Sequence, residues 1–375
     1  MDIQVVGGGA LGMSAALALA EEGHDVTLVE RRQLGAGATG KAAGILSTMT
    51  WNDDDFRLIQ ATRGKIGELI SLAAGPVPEA RGAWRPVDSI TIAKGDKLSV
   101  LDAIQHRLER FTEEPERMDH RRAADQFPEV RFHPGEEVLV AQEDGCIEAG
   151  DFLAALRWRL ESEGVVIKEG AGDAGDAGGA GRVGRADMDG PTVVAGGAWT
   201  KRILADAGVH LPMEAFRTQL ASLGSSHAEE VPIVHDVVHG FYMRPESAGT
   251  FLAGDGTRLT PHDPEEYDEA GDPGFTQSIA ERVPQRLTHG ADATIRRSWA
   301  GLCVATPDRR PFCGPVPDRD DLWVLTGDNG FGLMRCLALG ERLAQAVDGD
   351  VHPETDPRRF AGFDEEWEIQ EGFGF

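Results

Sequence analysis

Residues 3–30, IQVVGGGALGMSAALALAEEGHDVTLVE, read as one complete strand, turn, helix and strand, and the rest of the chain is interpreted around them. Ile3, Val5 and Val6 supply a first strand, and Gly7, Gly9 and Gly12 form G-x-G-x-x-G at the mouth of an Ala/Leu-rich helix. The first glycine permits the tight turn, the second lets backbone approach a pyrophosphate, and the third lets the helix pack closely on the strand. Free N–H groups and the dipole at the helix N-terminus then attract phosphate. Val26 to Val29 make a second strand that delivers Glu30 to its tip, the spacing of a carboxylate that hydrogen-bonds an adenosine ribose. An acid there disfavours a 2′-phosphate, so the unit is read as a dinucleotide site not built for NADP.

The 375-residue chain is long enough for two or three domains, and its 37 basic against 63 acidic residues leave a net charge of −26. That balance argues against nucleic acid or an anionic membrane as partner. Six lysines accompany 31 arginines. A lysine-poor, strongly acidic composition resembles that of proteins from salt-loving microbes, whose cytoplasm screens self-repulsion; an ordinary acidic surface is the alternative. Cys146, Cys303, Cys313 and Cys336 are scattered, which fits a reducing compartment rather than a disulfide framework. A strand starting at Ile3 leaves no room for a signal peptide, and no apolar run approaches the ~20 residues of a membrane span. A cytoplasmic protein is expected.

After Glu30 comes a small-residue loop, Leu34-GAGATGKAAG-Ile45, where a second strand and helix would follow in an ordinary nicotinamide domain. Small side chains let backbone lie against a planar ligand, with Thr39 and Lys41 as donors to phosphate or ring oxygens. Residues 51–142 read as the insertion of another domain, with helices over 56–72 and 97–111 and a strand at 89–93. Asp151 is expected to cap a helix leading into a strand at 165–167. Residues 170–190, dominated by Gly, Ala and Asp, read as a hairpin or linker. TVVAGGAW, 192–199, is a buried strand ending in a glycine pair. Residues 216–299 turn β-rich, with strands at 219–223, 240–244 and 250–253 and a helix near 275–283. A last strand at 322–326 runs into GDNGFG and a helix over 333–347, so the chain returns to the first sheet.

This ordered set of motifs resembles the D-amino acid oxidase superfamily of FAD enzymes, especially its glycine oxidase and sarcosine oxidase-like branch. The landmarks are VVGGGALGMSAALALAEEGHDVTLVER at the start, GATGKAAG in the second loop, VVAGGAW at 193–199, FYMRP at 241–245, and WAGLCVATPDRRPFCGP with LTGDNGFG near the end. The resemblance implies an α/β FAD-binding Rossmann-like domain of the glutathione reductase type, interleaved with an α+β substrate domain on a mostly antiparallel sheet. The expected division gives 1–50, 143–215 and 300–365 to FAD, 51–142 and 216–299 to substrate, and 366–375 to a tail. FAD contacts are expected from Gly7, Gly9, Ala10, Gly12, Glu30, Arg31, Thr39, Lys41, Ala42, Gly44, Ala195, Gly196, Trp199, Gly330, Phe331, Gly332 and Leu333. A helix starting at the last four would aim its positive end at the flavin pyrimidine.

The family chemistry is C–N bond oxidation, with hydride passing to flavin N5. Tyr242 matches a family tyrosine that hydrogen-bonds the substrate carboxylate, and Arg244, two residues on, is expected on the same strand face. At GLCV the resemblance breaks. Glycine oxidase-like members carry a carboxylate-clamping arginine where this chain has Cys303, and a thiol cannot replace a planar fork. Either another arginine (Arg244, Arg258 or Arg297) holds the anion, or the substrate is not a simple α-amino acid. Sarcosine oxidases attach flavin through a cysteine in this neighbourhood, though Cys303 is displaced from that landmark; a buried thiol is the alternative. His235, Asp236 and His239 lack a suitably spaced third ligand, and no metal is expected. Small amines, amino acids or hydroxy acids are the expected substrates, with oxygen or another acceptor taking the electrons and a homo-oligomer left open. A 2-hydroxy acid or polyol phosphate dehydrogenase, and a non-catalytic FAD-binding subunit of a larger complex, are the competing readings.

Overall fold

The computed structural model describes residues 1–50, 52–111, 114–142, 144–170, 190–246, 249–256 and 261–369. The 170–190 linker and 366–375 tail therefore lie largely outside the described residues, as does Arg258.

The opening unit forms as its pattern requires: β1 (Asp2–Val6), α1 (Ala10–Glu21) and β2 (Asp25–Val29). Beyond the glycine loop come a short β3 (Ile45–Leu46) and α2 (Asp53–Ala73). Asn52 caps α2 by accepting from the Asp55 N–H at 2.8 Å, and Asp53, Asp54 and Asp55 crowd its positive end, the arrangement a helix dipole favours. There follow β4 (Trp84–Pro86), β5 (Ser89–Lys94), α3 (Leu98–Arg110), β6 (Glu116–Asp119), α4 (His120–Gln126), β7 (Glu136–Ala141) and β8 (Gly145–Ile147). The helix expected after Asp151 is α5 (Ala149–Ser162), which starts two residues earlier. Asp151 therefore lies inside the first turn, where an acid complements the dipole without capping. Then come β9 (Val166–Lys168), β10 (Thr192–Val194), α6 (Thr200–Asp206), β11 (Glu214–Gly224), β12 (Ile233–Asp236), β13 (Phe241–Pro245), β14 (Thr250–Gly254), α7 (Pro273–Arg286), β15 (Thr294–Ala305), β16 (Phe312–Pro315), β17 (Leu322–Thr326) and α8 (Gly332–Val347).

One sheet has the order β16-β17-β10-β1-β2-β9, parallel except for β16. The late return of β17 beside β10 is what the second strand-turn-helix signal implied. A second, eight-stranded sheet runs β15-β11-β14-β13-β12-β5-β7-β6 and is antiparallel except where β12 meets β5. A small sheet, β3-β8-β4, joins the two regions.

The insertion divides differently from the expectation. Its first helix, α2, packs on α8, because its apolar stripe (Leu58, Ile59, Ile66, Leu69) enters the same core as β1, α1 and α8. Arg335 of α8 pairs with Asp55, and Arg342 forks onto Asp54 at 2.7 and 2.8 Å. The remainder of 51–142, through β5, β6 and β7, joins the second sheet, whose apolar face is covered by α7.

Helices α1 and α8 approach backbone to backbone at Gly340 and Ser14. A Cβ added at Gly340 would fall inside the van der Waals envelope of the Ser14 carbonyl, so only glycine lets the two helices meet at that depth. Gly340→Ala should destabilise the protein by about 1–3 kcal/mol, the usual cost of overpacking a rigid core, read as a lowered midpoint in urea unfolding with an unchanged slope. An unchanged midpoint would show that the two helices are free to separate.

Candidate functional site

The ends of β1 and β10, the start of α8 and one face of the second sheet enclose a cavity of about 1200 Å³, larger than the ~300–1,000 Å³ of most small-molecule sites. Its floor is the turn from Gly7 to Leu11, beside Ala195 to Trp199. Gly7 has φ +114°, and a Cβ there would strike the Ala195 carbonyl; one on Gly12 would strike the Gly7 carbonyl. Three backbones thus meet at one point, and Gly7 to Leu11 at the head of α1 line the cavity.

Glu30 lies at one end with both carboxylate oxygens oriented by backbone. Oε2 accepts from the Gly8 N–H at 2.7 Å and Oε1 from the Arg32 N–H at 2.9 Å, and the remaining lone pairs stay available to a diol. Thr39 has a role the sequence did not reveal. Its Oγ1 accepts from the Ala10 N–H at 2.9 Å, capping α1 from the second loop because the N-cap residue, Gly9, has no side chain. Arg31 lies 3.9 Å over the Trp199 ring and faces Glu265 at 3.4 Å; both residues line the cavity, as do Ala42, Gly44 and Gly196.

Lys41 lines the cavity too, but its ammonium is not free for phosphate as expected. It donates to the Tyr267 hydroxyl at 2.7 Å and pairs with Glu269 at 2.8 Å, holding that carboxyl below its ordinary range. Its carbonyl meanwhile accepts from the Trp299 indole at 2.9 Å. The reason is a long-range acid and tyrosine that local sequence could not show.

At the other end, α8 begins at Gly332 without a side-chain cap, and Gly330 to Leu333 line the cavity. Asp328 orients this turn by accepting from the Gly330 N–H at 3.1 Å. Burial pushes the Asp328 carboxyl up. The covering wall comes from Phe216, Thr218 and Leu220, alternate residues on one face of β11, with Tyr242 of β13 and Gly301 to Cys303 of β15. Phe216 and Thr218 lie outside the strand expected from Gln219 to Leu223, because β11 begins five residues earlier, at Glu214. Tyr242 is 5% exposed, and burial, the Cys303 thiol and Asp255 together hold its hydroxyl protonated. Burial and Asp328 do the same for Cys303.

Arg244 is not on the cavity wall and does not serve as the substrate clamp proposed for it. Its guanidinium, 2% exposed, donates to the Ala43 carbonyl at 2.6 Å and to Glu148 at 2.6 and 3.4 Å. Glu148 offsets the burial that works against its charge. It braces the second loop. Arg297 is exposed and stacks 4.5 Å over the Trp299 ring. Asp236 and His239 belong to a buried knot, in which Arg286 reaches Asp236 at 2.7 Å and Glu136 at 2.8 Å and Asp236 also meets His239 at 2.8 Å. Burial pushes His235 down to about 4, and none of these residues lines the cavity.

The family model described as "FAD dependent oxidoreductase" (DAO) matches residues 2–346. Glycine oxidase from Geobacillus kaustophilus (strain HTA426) is 24% identical over 372 residues, covering 92% of this chain and 93% of its own. The 4-methylaminobutanoate oxidase (formaldehyde-forming) of Paenarthrobacter nicotinovorans is 28% identical, over 96% of this chain and 45% of its own length. Among solved structures, L-proline dehydrogenase from P. horikoshii superposes with a TM-score of 0.83 at 19% identity, covering 97% of this chain and 99% of the other; that likeness is one of fold.

The cavity fits FAD. Its volume, the N-termini of α1 and α8 opening into it and the oriented Glu30 carboxylate supply one surface for each part of such a molecule. Glu30→Ala should weaken FAD retention by on the order of tenfold to a hundredfold, the worth of a hydrogen bond to a charged group, measured by fluorescence titration of the stripped protein. Unaltered affinity would remove Glu30 from the site.

Proposed function

This chain belongs to the DAO family of FAD dependent oxidoreductases, and on that premise we propose that it oxidises the C–N bond of a small amine or amino acid. The similarity to glycine oxidase and 4-methylaminobutanoate oxidase supports an amine substrate. The observation that carries the reading is the meeting of Tyr242, Cys303 and the amino end of α8 at one end of the cavity. Bound there, FAD supplies the acceptor for the substrate's hydride. The chain's own residues supply the rest. The α8 terminus favours negative charge arriving beside it. Phe216, Leu220 and Leu302 exclude water. The Tyr242 hydroxyl, held protonated, donates to the substrate.

With cysteine at 303, the substrate is not gripped there by a guanidinium fork. Each cation described on the cavity wall already has a partner: Arg31 with Glu265, Lys41 with Glu269, Arg202 with Asp263, and Arg32 with the Ala36 carbonyl. The proposed substrate is therefore an amine recognised chiefly by Tyr242 and by shape. The FAD contacts proposed are those expected from sequence, with Lys41 contributing backbone rather than charge. Of the expected domain division, α2 moves to the FAD-binding part by its packing and the rest is kept. Electrons leave to oxygen or another acceptor.

Anaerobic addition of small primary and N-methyl amines, or of sarcosine, glycine, D-alanine or D-proline, should bleach the flavin band, and Tyr242→Phe should raise the substrate concentration needed while leaving the flavin spectrum intact. Bleaching by 2-hydroxy acids alone, or by nothing offered, would overturn the amine reading in favour of a hydroxy acid dehydrogenase or a non-catalytic subunit.

We also infer a salt-rich cytoplasm as the working environment, supported by 63 acidic residues against six lysines. Screening weakens like-charge repulsion over a Debye length of about 8–10 Å at ordinary ionic strength and less at high salt. The melting temperature should accordingly rise steadily from about 0.1 M to about 2 M KCl; a flat or falling profile would sink the inference.

A further inference from the structure

Three loops away from the cavity bring two imidazoles and a carboxylate together. Glu129 follows α4, His227 follows β11, and His289 follows α7. Their donor atoms all lie within 4.8 Å of one another. His227 Nδ1 is 3.8 Å and His289 Nε2 3.9 Å from the same Glu129 oxygen, Oε2. Neither separation is a hydrogen bond, so hydrogen bonding does not explain the convergence. The rings stack with centroids 4.2 Å apart and planes 21° from parallel. The Glu129 side chain is 14% exposed, and those of His227 and His289 are 38% and 52% exposed, so the group opens to solvent while its carboxylate sits at the base.

The frame beneath is fixed. The Thr288 N–H donates to the Glu129 carbonyl at 2.9 Å, and its hydroxyl to the Pro128 carbonyl at 2.7 Å. Val130 and Leu287 form a bridge and enter the core of the second sheet. Ser226 donates to Asp292 at 2.9 Å, tying the His227 loop to the His289 loop, and Ala228 anchors that loop in the same core. The three side chains are thus held by backbone that is already pinned.

We propose that Glu129, His227 and His289 form a binding site for a divalent transition metal of zinc's class, which staples three loops at the edge of the second sheet. Two imidazoles and one carboxylate are a ligand set suited to zinc, and ligands about 2.0–2.2 Å from a tetrahedral metal stand about 3.3–3.5 Å from one another. Contraction of about half an ångström brings each nitrogen-to-Glu129 separation to that spacing, and the two stacked rings turn so that both lone pairs meet at the metal, from donor atoms that start within 4.8 Å of one another. Glu230, whose Oε2 is 3.8 Å from His227 Nδ1, or water completes the shell. The negative field of the chain concentrates cations nearby, and the imidazoles select transition metals over magnesium.

The test uses the FAD-loaded protein with excess magnesium present to occupy diffuse acidic sites. Zinc titration by calorimetry should show one more equivalent in the unaltered protein than in His227→Ala/His289→Ala, with a zinc-dependent rise in melting temperature that the variant lacks. Copper loaded at one equivalent should show nitrogen hyperfine coupling from two imidazoles in its electron paramagnetic resonance spectrum, reduced to one in His289→Ala. The flavin spectrum of each variant reports its folding, and Glu129→Gln provides a third, milder variant that leaves both rings in place. Equal zinc stoichiometry in the unaltered protein and the double variant, or no zinc binding above the magnesium background, would overturn the site.

Discussion

Everything about the cavity depends on a place where no Cβ fits. Gly7, Gly12 and the Ala195 carbonyl occupy one crossing of β1, α1 and the end of β10, where a methyl group on either glycine would overlap a carbonyl. Because that crossing is so close, the head of α1 lies against the sheet and lines the cavity. The same intimacy continues on the other flank of α1, where Gly340 lets α8 lie against Ser14. Two helix N-termini consequently open into one cavity from adjacent positions, and their positive dipole ends add to the paired charged side chains on its wall. The placement is steric, set by the close approach of backbone at these glycines.

The parts legible in the sequence are those whose cause is local. The glycine spacing, the apolar runs of β1 and β2, the acid at Glu30 and the strand, turn and helix from 322 to 347 each state a backbone geometry within a few residues, and each forms as read. What was not legible is which partner a polar side chain finds. Lys41 looks like a phosphate donor until Glu269 and Tyr267, more than two hundred residues away, take its charge. Arg244 shares a strand with Tyr242, yet Glu148 and the Ala43 carbonyl draw it into the seam between the small sheet and the second loop. Helix α2 reads as part of an insertion by position in the chain. Its apolar stripe and its aspartates nevertheless suit α8, and packing decides.

Arg244 shows how a residue outside the cavity still shapes it. The second loop is built of small residues with little side-chain surface to hold it, so its position depends on external bonds. The Arg244 guanidinium holds the Ala43 carbonyl from behind, and Thr39 holds the head of α1 from the front. Between these two points the loop cannot drift from the helix terminus it covers. A buried arginine would ordinarily be costly, but a carboxylate and two carbonyls satisfy it, and a satisfied ion pair in low dielectric fixes geometry even where its net stabilisation is small.

Cys303 then sets the chemical character of the far end. It stands beside Tyr242, Asp328 and the start of α8, and burial keeps both the thiol and the phenol uncharged. The region thus offers hydrogen-bond donors and apolar wall, with positive potential from a helix end in place of a guanidinium. A diffuse helix field attracts negative charge without prescribing the planar, two-point geometry that an arginine fork imposes. In the reading proposed for this chain, recognition rests on the shape set by Phe216, Leu220 and Leu302 and on the hydroxyl of Tyr242. A site of this kind discriminates weakly among small anions but strongly among sizes and substitution patterns at nitrogen, because unfilled apolar volume and a misplaced donor are the two errors it penalises.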